Sequence, residues 1–179
     1  MRGSLTGDFS ALTRFGKAIG SLSRSSVMTE LSREIGDEVV KLVERGFDRE
    51  QDPYGIKWYR KTFADGRKVL SGATGKLAKS FAIKSVGAWG VVVGSSLARS
   101  RFPQSGTGLY GPSKQRIKPK SGKALAFKSS SGATLFRASV KGQQQRRMVP
   151  VAGMPSPTWN RAIKKRAVAF LKARLGKAA

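Results

Sequence analysis

From Gly66 to its last residue the chain runs for 114 residues without one Asp or Glu, while carrying 24 of its 35 Lys and Arg. The ten acids all lie between Asp8 and Asp65; residues 1–65 carry 11 bases and so a net charge of about +1, and the remainder holds about +24 of the total +25. Such a surface repels copies of itself and attracts anions, whether nucleic acid, membrane or an acidic protein ring. It also removes chemistry, because that two-thirds of the chain has no carboxylate to serve as base, nucleophile or metal ligand. Histidine and cysteine are absent altogether. Cys/His zinc sites, disulfides, cysteine nucleophiles and every histidine-dependent triad are thereby excluded.

A length of 179 residues suffices for one core. We read an N-terminal helical arm over 1–24 and a single α+β domain over 25–179, with an inserted loop at 95–122. An apolar content of 39% with 21 glycines, and a mean hydropathy of −0.32, point to long loops or surfaces that order on assembly. Asp8, Arg14 and Lys17 interrupt any apolar run near the start, so no signal peptide is expected, and no run approaches the length of a bilayer span.

Leu5, Phe9, Leu12, Phe15, Ile19 and Leu22 form one apolar stripe at helical spacing, weakened by Gly16 and Gly20. The clearest helix follows over Val27–Arg45. Val27, Leu31, Ile35, Val39, Leu42 and Val43 line one face and mostly acidic residues the other, with Gly46 as the expected terminator. Asp52-Pro53-Tyr54-Gly55 spells a turn. Period-two patterning from Ser80 to Val93 predicts a hairpin turning at Gly87, with Trp89 on a strand; Leu125, Phe127 and Leu135 predict a second hairpin across Ser129–Gly132. Between the hairpins, 94–122 is rich in Gly, Ser, Pro and Lys. Ser156 followed by Pro157 opens a final helix carrying Trp159, Ile163, Phe170 and Leu171, closed at Gly176. The expected fold is α+β: amphipathic helices packed on a small antiparallel sheet of hairpins, with a long basic loop.

Candidate chemistry is sparse. Asp48, Glu50, Asp52 and Asp65 cluster near the Pro53 turn, and hydrogen-bonded turn carboxylates explain them better than a metal site, whose spacing rules they do not match. Gly72–Lys76 lacks Walker spacing. Trp58, Trp89 and Trp159 are assigned to the core. Arg99, Arg101, Lys114, Arg116, Lys118, Lys120, Lys123 and Lys128 form the candidate contact set. On an extended arm these charges could track a phosphate backbone or dock on an acidic protein. Tyr110 lies nearby, but one aromatic is no stacking platform. The competing explanation is a solvated basic loop. For Arg161, Lys164, Lys165 and Arg166 a charged outer face near the C-terminal helix dipole suffices.

The order of short motifs resembles the virion morphogenesis proteins of Mu-like tailed phages, which include tail-completion proteins. Four stretches carry the resemblance: Phe47 with Asp52–Trp58, Leu70 with Thr74–Phe81, Val91–Ser95, and Ala124–Val140 followed by Val149-Pro150 and Pro155-Ser156 before a last helix. It spans roughly residues 27–175. The chain departs from the family pattern after the first hairpin, where Ala98 and Gln104-Ser105-Gly106 stand, and at Met154-Pro155 in place of an arginine-proline pair. Basic minor tail proteins of the lambda Z type are similar in function. The resemblance implies a virion assembly protein that completes the head-proximal end of the tail and joins it to the neck. It implies no catalysis and no cofactor. The implied partners are further copies in a hexameric ring, tail-tube and neck or connector proteins, and genomic DNA in the lumen, with no membrane. The implied location is the virion, after assembly in the host cytoplasm. The alternative is a free-standing basic nucleic-acid-binding protein.

Overall fold

The computed structural model describes residues 25–61, 66–72, 74–128, 132–152 and 156–178, together with Gly16 and Gly20. The expected arm at 1–24 lies outside the described residues but for those two glycines. The elements are α1 (Ser25–Arg49), β1 (Phe81–Gly87), β2 (Gly90–Ser95), α2 (Arg101–Ser105), β3 (Leu125–Lys128), β4 (Thr134–Arg137) and α3 (Pro157–Ala178), with short 3-10 turns at Ala78–Ser80, Ala98–Ser100 and Gly108–Tyr110. The fold class is α+β. β1–β2 and β3–β4 are two separate two-stranded sheets.

The region read as one domain resolves into two compact units. One gathers the described residues through Val39, Ile83–Val93 and the helix from Asn160 onward; the other holds Val40–Ala82 and Gly94–Trp159. In the first unit α1 lies against the β1–β2 hairpin at Gly36. A Cβ there would come within 2.7 Å of Ile83 Cδ1 and 2.8 Å of Val91 Cγ2, so the absence of a side chain sets how closely helix and hairpin approach. Ser32, one turn earlier, is buried on the same face. The face toward the hairpin is thus a small-residue stripe displaced from the apolar one, which helical periodicity alone does not pick out. In the same unit Arg166 donates to Glu34 (Nε–Oε2 2.8 Å) and Arg174 pairs with Glu30. Arg166, expected on a charged outer face near the C-terminal helix dipole, thus ties α3 to the acidic side of α1. Both pairs are partly exposed, so each contributes only about 0.2–1 kcal/mol.

Every buried large apolar side chain among the described residues belongs to the second unit. Leu42, Val43 and Phe47 from the end of α1 meet Trp58, Val69, Leu77, Phe81, Met148 and Trp159. Phe47 stands edge-on to Trp58 with ring centroids 5.3 Å apart and lies 6.2 Å from Phe81. Each such side chain contributes roughly 1.5–3 kcal/mol of burial. Gly46 does not end α1. The helix continues to Arg49 and closes on Glu50, whose φ of 52° is left-handed. Gln51 N–H bonds Gly46 O at 3.0 Å and Glu50 N–H bonds Phe47 O at 3.3 Å, the paired bonds of a Schellman cap. The extra turn carries Phe47 into the core.

The Asp52 turn forms as its sequence requires. Asp52 Oδ1 accepts from Tyr54 N (2.9 Å) and Ile56 N (2.8 Å), and Gly55 takes φ 88°. Glu50 accepts from Val69 N, and Asp48 pairs with Lys68 at 3.5 Å. These carboxylates are turn and loop fasteners, and among the described residues no acidic group has the makings of a metal site. Ser156 caps α3, accepting from Trp159 N at 3.3 Å while donating to Pro53 O. α3 runs past Gly176 to Ala178.

Trp89 departs from its expected place in the core. The two-residue turn of the first hairpin is Ala88-Trp89 rather than Gly87, and the indole at its tip is 99% exposed. Trp58 and Trp159 are buried as expected. The second hairpin pairs Leu125 with Arg137, Ala126 with Phe136, Phe127 with Leu135 and Lys128 with Thr134.

Candidate functional site: a basic surface and a two-chambered cleft

The segment expected to be a long basic loop is pinned over most of its length. Past β4 the loop is hydrogen-bonded to the irregular segment 140–149. Thr107 N bonds Gln143 O (2.9 Å), Leu109 N bonds Lys141 O (2.8 Å), and Ile117 and Val140 exchange two bonds of 3.0 Å. Gln104 locks the far end: its Oε1 accepts from Met148 N (2.8 Å) and Val149 N (3.2 Å), and its Nε2 donates to Val149 O (2.9 Å). The expectation of a free arm is corrected accordingly. Backbone polar groups along 103–117 find partners in 140–149, and a segment so paired has little reason to stay loose.

The eight candidate contact residues are all exposed. Arg99 sits on a 3-10 turn; Arg101 opens α2 with its guanidinium 5.0 Å from the Phe102 ring centroid. Lys114 occupies a left-handed position (φ 48°), and Arg116 Nη1 donates to Ser139 Oγ at 3.2 Å. Lys118, Lys120 and Lys123 follow toward β3, which ends at Lys128. Among the described residues none of the eight makes an ion pair.

The structure also builds a concavity from residues outside that set. Trp58 Nε1 donates to Arg147 O (2.9 Å), and Arg146 donates to Tyr59 O from Nε (2.9 Å) and to Arg60 O from Nη2 (3.1 Å). Two adjoining chambers open here. One, of about 710 Å³, is lined by Arg60, Lys61, Lys141, Arg146 and Gln143, with no carboxylate among the described residues that line it. The other, of about 400 Å³, is lined by Trp58, Tyr59, Gln145, Arg147 and Ile56, and Asp52, the one carboxylate among its described lining residues, is engaged by its own turn. Tyr110 and Gln144 line both. Arg146 is only 9% exposed, and burial pushes its guanidinium pKa downward. Carbonyl dipoles solvate it, yet no described carboxylate compensates its charge.

None of the eight expected residues lines either chamber. The cleft escapes a sequence reading because Tyr59, Tyr110 and Gln144–Arg147 lie far apart in the chain. The available signal is the run Gln143-Gln144-Gln145-Arg146-Arg147, dense in amide and guanidinium donors just past the second hairpin. No protein-family model, curated protein or solved structure matches this chain.

Proposed function

We propose that this chain is a structural phage protein that completes the head-proximal end of the tail and joins it to the neck, as a ring around the DNA channel. The reading is carried by one observation: eight bases spread over 99–128 are exposed, and none forms an ion pair among the described residues. With no acid after Asp65, that face offers charge without an internal counterion, which suits an acidic tube or connector, or DNA passing through a lumen. Copies carrying +25 each repel, so in this reading the ring closes only against an anionic partner. The motif order given above supplies the phage context. The pinned loop alters one part of the picture, since its bases are presented on an ordered ledge rather than on an arm that orders upon docking.

The test is electron microscopy of lysates of the encoding phage with this gene deleted. Full heads beside separate, normal-length tails are the expected result. Overlong tails would make the protein a tail terminator instead, and intact infectious virions would overturn the reading. In a complementing copy, replacing Lys114, Arg116, Lys118 and Lys120 together by Gln should abolish joining; unimpaired joining would remove those residues from the docking face.

A further inference from the structure

The two chambers differ in chemistry and share a wall. In the larger one, Arg60 and Lys141 extend without ion-pair partners among the described residues beside the buried cation Arg146. Burying a charge without a countercharge is costly unless the site supplies one on binding. Two carbonyl oxygens accept from Arg146 but leave a net positive field among the described residues of a concave space, which selects an anionic group. The smaller chamber presents π-faces and amides: Tyr59 is 60% and Tyr110 42% exposed, with Gln144 and Gln145 beside them. Exposed tyrosines gain little from water and much from a flat ring laid over them, and glutamine amides match the donor–acceptor edges of a nucleobase. A group that is anionic at one end and flat, polar-edged and aromatic at the other, with a volume suited to a chamber of a few hundred Å³, is a nucleotide.

We infer that the cleft binds single-stranded nucleic acid, a backbone phosphate lying against Arg60, Lys141 and Arg146 and an adjacent unpaired base stacking on Tyr110 and Tyr59. A duplex keeps its bases inside the stack and could engage only the cationic chamber. An acidic peptide would likewise leave the tyrosines and glutamines unused. The inference rests on the cleft alone. Its failure would leave the head–tail reading standing, and intact virions from the deletion phage would leave the cleft standing.

The experiment is fluorescence anisotropy on the full chain with four probes: a labelled oligothymidylate, the same oligonucleotide made abasic, a duplex of equal length, and a poly-glutamate peptide. The intact protein should prefer oligothymidylate to the abasic strand by about tenfold, the order that stacked bases contribute. Tyr110→Ala should erase that preference, and Tyr59→Ala, at a more exposed position, should reduce it with no change in thermal stability. Arg60→Ala with Lys141→Ala should weaken both strands alike and lower the slope of log affinity against log salt by up to about 0.7, the contribution of one phosphate contact on a single strand. Lys118→Ala with Lys120→Ala should leave the preference for bases over abasic sites intact. Equal binding of oligothymidylate and abasic strand by the intact protein would overturn the inference, as would a preference that survives both tyrosine variants. Tighter binding of poly-glutamate than of the single strand would overturn it in favour of an acidic protein partner, and tighter binding of the duplex in favour of plain charge attraction.

Discussion

Gly142 offers a direct test of how the cleft floor is held, because its substitution carries two separable costs. Its φ of 92° lies in a region that L side chains rarely adopt, and a Cβ there would stand 2.6 Å from Thr107 C and 2.8 Å from Gly108 Cα, closer still to Thr107 O. The neighbours are backbone, already bonded as Thr107 N to Gln143 O and Leu109 N to Lys141 O, so they cannot swing aside as a side-chain tip could. Gly122 isolates the first cost, with φ 82° and nothing within 4 Å of the point where a Cβ would stand. Gly122→Ala should therefore show the conformational cost by itself, about 1 kcal/mol. Gly142→Ala should add about 2 kcal/mol of backbone displacement, in the range of overpacking, for a total of about 3 kcal/mol. At roughly 3 °C per kcal/mol for a chain of this size, the expected Tm losses are about 3 °C and about 9 °C. Calorimetry measures both, and amide exchange on the same proteins should show Thr107 and Leu109 losing protection only in Gly142→Ala. Equal Tm losses, or unchanged protection at those two amides, would refute the close-approach argument.

Three further outcomes follow from the packing. Asp52→Ala, which strands the Tyr54 and Ile56 amides, should cost about 3 kcal/mol in urea unfolding; Asp52→Asn, retaining an acceptor oxygen, should cost less than half as much, and equal losses would deny the side chain its turn-holding role. Gly36→Ala sets about 1 kcal/mol of helix propensity against about 1–3 kcal/mol of crowding at Ile83 and Val91; it should be destabilising alone and less so in an Ile83→Ala background, where the Val91 contact remains, and strictly additive effects in that double-mutant cycle would contradict the contact. Trp89→Ala should leave stability within about 0.5 kcal/mol of the parent while removing a water-exposed component of the fluorescence, whereas Trp58→Ala should cost about 3–5 kcal/mol. A large Tm loss for Trp89→Ala would place the indole in packed surroundings.

Local rules are legible where a few neighbouring residues suffice. The Asp52-Pro53-Tyr54-Gly55 turn, the Ser156-Pro157 helix start and the long amphipathic helix each depend on hydrogen bonds or periodicity within about one turn of chain, and each stands in the structure where the sequence puts it. The eight candidate bases are legible as exposed charges because long cations without partners stay in water. Where local signals offer two solutions, sequence alone picks the wrong one. Gly46 is a plausible end for α1, but continuing one turn delivers Phe47 to Trp58 and Phe81, and that burial outweighs the strain of Glu50 at positive φ. Gly87 is a plausible hairpin turn, but the strands extend past it and leave Trp89 at the tip. The loop at 95–122 reads as a free arm because its hydrogen-bond partners at 140–149 are 23 to 45 residues away.

The amino-acid sequence by itself determined the charge distribution, the exclusion of histidine and cysteine chemistry, and the helices and turns. These depend on composition or on interactions within a few residues. Only the tertiary structure decided that Gly36 seats a hairpin, that Arg146 is buried against the carbonyls of Tyr59 and Arg60, and that two tyrosines 51 residues apart in sequence line adjoining chambers. Those arrangements arise from long-range packing and backbone pairing, in which the partner of each residue is chosen by the fold of the whole unit rather than by its neighbours along the chain.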